Sequence, residues 1–232
     1  MNFYYLFIDL FCIAGPFFLS FDKRVAYYKN WIPVFVSILF TCLLFIPIDS
    51  FFTHAGYWGF NDQYLTNKWI FGLPIEEVLF FVTVPFACVF IYECVIHYFP
   101  KTIEKLDKKL SWIQLVVFNL LTIAFAIIYL DRIYSLSVAT MSLLVLNLVV
   151  LLFRKYLAQY ILSFGFIIIP FLLINGALTG SFTDNEVVWY NAQAISGIRI
   201  GTIPIEDLYY NFLLVTSSFF FYLTYKKIVR KA

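Results

Sequence analysis

The sequence has few charged residues and few cysteines. Charged residues make up 13% of the 232 residues, about half the share of a typical soluble protein. The net charge of +2 is too small to indicate a nucleic-acid partner. The cysteines (Cys12, Cys42, Cys88 and Cys94) lie in apolar runs without C-x-x-C spacing, which excludes a disulfide framework or a zinc site from the pattern. We therefore interpret them as small membrane hydrophobes.

Motifs for common cofactors are also missing. The chain has no Gly-rich dinucleotide fingerprint and no P-loop, so neither a nicotinamide, a flavin nor ATP is indicated. It has no aspartate-rich motif of the kind that holds a magnesium diphosphate, since Asn61-Asp62 is only a fragment of one. No lysine lies within an apolar run, so a retinal Schiff base has no anchor. We expect neither a cofactor nor a metal ion.

What the sequence has in abundance is apolar surface, with 62% hydrophobic residues. A spanning helix needs about 20 predominantly apolar residues. Seven runs meet or approach that length: 2–20, 31–48, 74–97, 112–130, 133–153, 157–178 and 204–225. The sequence therefore predicts an all-α membrane protein with seven transmembrane helices.

The basic residues are distributed unevenly between the two sides of these helices. Thirteen of the 16 lie on one side: Lys23, Arg24, Lys29, Lys101, Lys105, Lys108, Lys109, Arg154, Lys155, Lys226, Lys227, Arg230 and Lys231. The other side has Lys68, Arg132 and Arg199. The positive-inside rule then predicts a multi-pass protein of the cell membrane with its N-terminus outside and its C-terminus in the cytoplasm. The long connecting stretches 49–73 and 179–203 would both face the non-cytoplasmic side.

An internal repeat divides the chain. Pro-Ile-Glu-Glu at 74–77 opens the third apolar run, and Pro-Ile-Glu-Asp at 204–207 opens the seventh. Ile46-Pro47 matches Ile169-Pro170, and Trp58 is expected to match Trp189. We predict a three-helix repeat in 1–100, a basic loop with a connector helix in 101–131, and a second three-helix repeat in 132–232. Because one connector helix separates them, the two repeats should run parallel.

The repeated motif supplies the candidate catalytic residues. Parallel repeats would start both motif helices on the same membrane face, so Glu76, Glu77, Glu206 and Asp207 should converge on one cavity. A proline followed by acids is also a common helix start, which remains the plainer interpretation. Adjacent helical residues differ by about 100°, so one acid of each pair should face the bundle. The sequence does not tell which one.

Other polar and aromatic residues are candidates for supporting roles. Asp49 and Asn175 end the second and sixth runs and either join the cavity or lie at the membrane interface. Trp58 and Trp189 are candidate substrate-binding residues. Asp9 lies well inside the first run, where a carboxyl group is costly and has either a structural or a catalytic role.

Further polar residues lie deeper in the runs. Glu93 and His97 are four residues apart near the cytoplasmic end of the third run, where a solvated pair is favoured. Asn119, Asn147 and Asn211 are typical of side chains that hydrogen-bond between membrane helices.

Two segments resemble a known family. Gly72–Glu77 followed by Phe80-Phe81, and Gly197–Asp207, look like the duplicated motif of the integral-membrane, flavin-independent lycopene cyclase domain. Asn175–Gly180 and Ser20–Asp22 are also similar to it. The resemblance covers almost the whole chain, as a fused two-domain form, with Asp207 where the first motif has Glu77.

The resemblance implies an enzyme of carotenoid biosynthesis. Such an enzyme would be an isomerase, of the intramolecular lyase type, that closes the acyclic ψ-ends of lycopene to ionone rings, with β rings as the expected type. It would need no cofactor, and its partners would be lycopene or a related acyclic carotenoid and the lipid bilayer. Association with other carotenoid enzymes is a further possibility.

Two other classes of function remain open from the sequence. Three helices, a connector and three more helices are also found in small transporters, in which paired acids can couple transport to protons. The chain could also be a carotenoid- or lipid-binding membrane protein without catalytic activity.

Overall fold

The protein is described by a computed structural model that covers residues 3–106 and 108–229, with side chains except at 108–111. Arg230 and Lys231, two of the basic residues assigned to the cytoplasmic side, lie outside the described residues. The side chains of Lys108 and Lys109 do so as well.

Helices make up most of the described chain. They are α1 (Tyr4–Leu19), α2 (Trp31–His54), α3 (Ile75–Tyr98), α4 (Pro100–Lys105), α5 (Lys108–Ile128), α6 (Ile133–Phe153), α7 (Leu157–Leu178) and α8 (Ile205–Val229). Seven of them match the predicted apolar runs. The short helix α4 begins the segment that was predicted as a basic loop. Helix α2 continues past residue 48, so Asp49 lies within the helix and not at its end.

The helical segments are those of a membrane protein. Within residues 3–106 and 108–229, four are long and apolar enough to cross a membrane: Tyr27–His54, Ile75–Tyr98, the run Ile133–Leu178 and Ile205–Val229. Tyr4–Leu19 and Trp112–Ile128 are shorter apolar helices. Many large hydrophobic side chains point outward, among them Phe11, Leu43 and Leu151, and such a surface requires a lipid environment.

Six short strands, absent from the all-α prediction, shape the two long connecting stretches. They are β1 (Trp58–Phe60), β2 (Trp69–Ile70), β3 (Leu73–Pro74), β4 (Val188–Tyr190), β5 (Arg199–Ile200) and β6 (Ile203–Pro204). β2–β3 and β5–β6 form hairpins that lead directly into α3 and α8. The positive φ angles of Gly72 (79°) and Gly201 (61°) allow these tight turns. β1 pairs antiparallel with β4 and joins the two stretches.

The packing of the helices has an approximate twofold pattern. α1 packs on α3 as α6 packs on α8, while α2 packs on α8 as α7 packs on α3. The second helix of each half therefore contacts the third helix of the other half. The two halves interlock, and residues near the starts of α3 and α8 line one shared cavity.

Candidate active site

The first acid of each motif fastens the loop that precedes its helix. Glu76 Oε1 accepts a 2.7 Å hydrogen bond from the backbone N–H of Thr66, and Glu206 Oε1 accepts one of 2.6 Å from the backbone N–H of Ser196. The hydroxyl of Ser135 also donates to Glu206, at 2.5 Å. Both carboxylates are fully buried. They hold the loops against the helix starts.

The second acid of each motif faces a shared cavity. Glu77 and Asp207 both line a space of about 50 Å³ at the loop end of the helices. Tyr5 on α1 donates a 2.7 Å hydrogen bond to Glu77 Oε2. Tyr134, on α6, stands in the corresponding place beside Asp207, at 3.5 Å from Oδ1. The structure thus separates each acidic pair into one loop-fastening and one cavity-facing residue.

The two cavity acids differ in their hydrogen-bond donors. Oδ2 of Asp207 accepts two bonds of 2.7 Å, from Asn175 Nδ2 and from the Tyr190 hydroxyl, in addition to the longer contact with Tyr134. Burial, followed by the nearby Asp207 carboxylate, raises the pKa of the Tyr190 phenol, so that Tyr190 keeps its proton and donates. Multiple donors favour the ionised form of a carboxyl group. Asp207 therefore has more hydrogen-bond donors than Glu77, whose one donor is Tyr5.

A third carboxyl group and several aromatic rings complete the cavity. Asp49 lines it and accepts a 3.1 Å hydrogen bond from the Tyr210 hydroxyl. The indole of Trp58 lies 4.8 Å from the ring of Tyr134 and 5.9 Å from that of Tyr210, between ring centroids. None of the described residues that line the cavity is Lys or Arg. The site is therefore acidic and aromatic, and Arg199 lies just outside its lining, with its guanidinium 6.0 Å from the centre of the Tyr190 ring.

The two tryptophans predicted for the site lie in different environments. Trp58 is 5% exposed and lines the cavity, whereas Trp189 is 42% exposed and lies opposite Gly59 in the β1–β4 ladder. The side chains of Asn61 and Asn191 accept hydrogen bonds from the backbone two residues on, which marks them as equivalent positions. Counting from them, Trp58 corresponds to Val188. The predicted match of Trp58 with Trp189 is wrong by one residue.

An apolar groove adjoins the acidic cavity. It has a volume of about 310 Å³, lies between α1, α3 and α7, and is lined almost wholly by hydrophobic side chains. The groove and the cavity share four lining residues: Phe80, Phe171, Asn175 and Asn211. A hydrophobic molecule in the groove would therefore have one end next to the acids.

The tyrosines of the cavity were missed by the sequence reasoning. Tyrosines in membrane proteins are most often found at the interface, and that expectation hides Tyr5, Tyr134, Tyr190 and Tyr210. Tyr5 and Tyr134 stand near the starts of the first helices of the two repeats, and this correspondence was the available signal. Asn175 and Asp49 join the cavity, which resolves the alternative left open for both.

The remaining polar predictions have mixed outcomes. Asn147 Nδ2 donates a 2.8 Å hydrogen bond to Asn119 Oδ1, between α6 and α5, as expected for interhelical contacts. Asn211 instead lines the cavity and the groove, and its Nδ2 has no partner among the described residues. Glu93 does not pair with His97, since it accepts hydrogen bonds from other helices, including one of 2.6 Å from the Tyr222 hydroxyl. The buried Asp9 interacts with the side chain of Thr83 on α3.

A comparison with protein families identifies the chain. The family model described as lycopene cyclase matches two segments, residues 2–95 and 131–225. The chain belongs to the lycopene cyclase family. Searches of the curated proteins and of the solved structures give no match. The two matched segments of this lycopene cyclase family member contain one acidic motif each, and residues 96–130, with α5, lie between them.

Membership of the lycopene cyclase family supports a role in carotenoid cyclisation with an acyclic carotenoid as substrate. It also agrees with the apolar groove, since such a substrate is a long hydrocarbon.

Proposed function

We propose that the protein closes ionone rings at the ψ-ends of lycopene by acid catalysis, without a cofactor and without net oxidation or reduction. The observation that carries the proposal is that Glu77 and Asp207, from equivalent positions of the two repeats, face one cavity that borders an apolar groove. We expect β rings, and the product is an isomer of the substrate.

Glu77 is the proposed proton donor. Three carboxyl groups share a cavity that no described Lys or Arg lines, and Arg199, beside Tyr190, would offset the charge of only one of them, so full ionisation would leave buried negative charge uncompensated. Of these groups, Asp207 has the most hydrogen-bond donors and is best suited to remain an anion. Glu77 and Asp49 each have a single donor, Tyr5 and Tyr210, and are better suited to hold a proton. We assign the donor role to Glu77 because it occupies the motif position that matches Asp207. This division resembles the pairing of a neutral and an ionised carboxyl group in other acid–base sites.

Ring closure then needs one proton from Glu77, and one proton returns to Glu77 at the end of the reaction. Glu77 protonates the terminal double bond of the ψ-end, and the resulting carbocation is attacked by a double bond farther along the chain, which forms the ring. The ring cation loses a proton to Asp207, which leaves the ring double bond. The Asp207 anion and the face of Trp58 stabilise the positive charge before that step. The proton passes back to Glu77 across the shared cavity.

The cavity alone is smaller than an ionone ring. At about 50 Å³ it has room for only a few water molecules. Ring closure would therefore take place where the cavity meets the groove, beside Phe80 and Phe171. The aromatic surroundings exclude water, which would otherwise add to the carbocation.

In the proposed membrane arrangement, all seven long helices span the cell membrane, as two parallel three-helix repeats joined by α5. The contacts of Glu93, near the end of α3, support this arrangement. Lys226, near the end of α8, and Asn30, next to the start of α2, each donate a 3.2 Å hydrogen bond to Glu93, so these three helix ends lie on one side. The acidic motifs lie at the opposite ends of these helices. The N-terminus would be outside and the C-terminus cytoplasmic. We also propose that the protein associates with other carotenoid enzymes in the membrane.

Substitution of the motif acids in lycopene-producing cells tests the function. Wild-type protein should turn red cells orange or yellow. Glu77→Gln and Asp207→Asn should each slow ring formation by about 100-fold or more. The matched control is Glu76→Gln, which keeps an oxygen to accept the Thr66 N–H and should retain most of the conversion.

The pigments are measured by chromatography and the protein by its amount in the membrane. Red cells with abundant wild-type protein would contradict the cyclase assignment and favour a binding or transport function. Unchanged conversion by both Glu77→Gln and Asp207→Asn would leave the function standing but refute these residue roles.

A further inference from the structure

The apolar groove runs along one side of the acidic cavity and away from it. On α3 its lining extends from Phe80, which it shares with the cavity, to Ile91. At 1.5 Å per residue this is a distance of about 16 Å along the helix. The lycopene chain is about as long as the hydrocarbon core of a bilayer is thick, roughly 30 Å. The groove therefore matches about half of the substrate.

The corresponding place on the other side of the pseudo-twofold axis contains direct contacts between helices. The groove lies between α1, α3 and α7, so its counterpart would lie between α6, α8 and α2. There the Ser37 hydroxyl of α2 donates a 2.7 Å hydrogen bond to the backbone oxygen of Ser218 of α8. Thr41 and Ser218 also approach within 3.3 Å, and the rings of Phe40 and Phe221 stack with centroids 5.4 Å apart. On α8 these contacts involve Ser218 and Phe221, which correspond to Cys88 and Ile91 in the lining of the groove on α3.

The two halves thus share one acidic cavity, but α2 packs more extensively on α8 than α7 packs on α3, where the groove lies. We propose that the groove between α1, α3 and α7 holds one half of the polyene with its end at Glu77 and Asp207, so that each binding event closes one ring. A second ring requires the monocyclic product to leave the groove and to return with its opposite end first. This inference rests on the proposed function.

Two glycines provide a matched pair of probes. A Cβ at either Gly15 or Gly165 would meet no atom within 4 Å, and both glycines are exposed positions inside helices. Gly15 on α1 lines the groove, whereas Gly165 on α7 is not among its lining residues. A phenylalanine at position 15 would fill part of the groove, and one at 165 would face lipid.

The first experiment measures lycopene that copurifies with the protein from lycopene-producing cells, in a Glu77→Gln background that prevents turnover. Gly15→Phe should retain roughly tenfold less lycopene than Gly165→Phe, because its side chain replaces apolar contacts of the ligand. Equal retention by the two variants would overturn the assignment of the groove. A wild-type protein that binds lycopene in this groove without forming rings would contradict the proposed function alone.

The second experiment tests the release between rings. Wild-type protein in vesicles is given isotopically labelled lycopene and then an excess of unlabelled monocyclic carotenoid. Release after one ring predicts that the label stays in the monocyclic fraction during the chase, as it also would if the protein makes only one ring. Labelled bicyclic product that continues to form at the same rate would refute the one-end proposal, since both rings would then be made without release.

Discussion

The hydroxyl of Tyr5 donates a 2.7 Å hydrogen bond to Oε2 of Glu77, whereas Tyr134, at the corresponding place in the second repeat, lies 3.5 Å from Asp207. Each repeat therefore places a tyrosine of its first helix beside its cavity acid, but the two distances differ. Asp207 compensates through Asn175 and Tyr190, both at 2.7 Å. This inequality gives one cavity two different acids, which an acid–base reaction needs.

Loss of the Tyr5 hydroxyl should impair the reaction more than loss of the Tyr134 hydroxyl. Tyr5→Phe removes the one donor to Glu77, so the acid loses its orientation and the rate of ring formation should fall by about tenfold or more. Tyr134→Phe removes only the longest of three contacts with Asp207 and should have a smaller effect. Pigment chromatography over time in lycopene-producing cells measures both rates. A larger defect in Tyr134→Phe would contradict the proposed roles of the two acids.

The loop-fastening acids should matter for stability. Glu206→Ala would leave the Ser196 N–H and the Ser135 hydroxyl without an acceptor, which costs about 1–3 kcal/mol for each buried group. Glu206→Gln keeps an acceptor oxygen and should retain most of the stability. Thermal unfolding of the purified variants in detergent compares them. Equal midpoints for the alanine variant and wild type would show that the hydrogen bonds at Glu206 do not hold the loop.

The two tryptophans predicted for the site should behave differently. Trp58→Leu removes a buried ring that packs on Tyr134 and Tyr210, and it should destabilise the protein by about 3 kcal/mol and reduce ring formation. Trp189→Leu changes a 42% exposed side chain and should shift stability by no more than about 0.5 kcal/mol. Unfolding midpoints and pigment yields measured side by side test the contrast, and similar effects from both substitutions would count against it.

The hydrogen bond between Asn119 and Asn147 should contribute modestly to the packing of α5 on α6. Side-chain hydrogen bonds between membrane helices have coupling energies that average about 0.6 kcal/mol. A double-mutant cycle with Asn119→Leu and Asn147→Leu, followed by unfolding in bicelles, measures this coupling. Ring formation should be unchanged in both single variants, because neither residue reaches the cavity. A coupling energy near zero would show that the contact is incidental.

The sequence was sufficient for the elements with a strong local signal. Seven helices follow from apolar runs that meet or approach spanning length, and the starts of α3 and α8 follow from proline and acids in the first turn. Glu77 and Asp207 were found because the motif is repeated. The choice between the two acids of each motif was not predictable, since it depends on loop N–H groups from residues ten positions earlier in the chain.

Features that depend on distant parts of the chain were also out of reach. The β1–β4 ladder joins segments about 130 residues apart, and strands of three residues have no periodicity that a sequence pattern can detect. The role of Trp189 was mispredicted for that reason. Its position opposite Gly59 is known only from the register of the ladder. Asp49 was left open between the cavity and the membrane interface, and the end of α2 was set too early.

The ladder between β1 and β4 closes the loop end of the cavity with residues from both repeats, since Trp58, Val188 and Tyr190 all line it. Opening this end to water would require both connecting stretches to move together. On the proposed mechanism, the proton that Glu77 gives to the substrate is replaced by the proton that Asp207 removes from the ring. The site would therefore reuse protons from the substrate without exchanging them with the solvent. In heavy water, the first rings formed should then carry ordinary hydrogen, and deuterium should enter the product only as fast as the ladder opens.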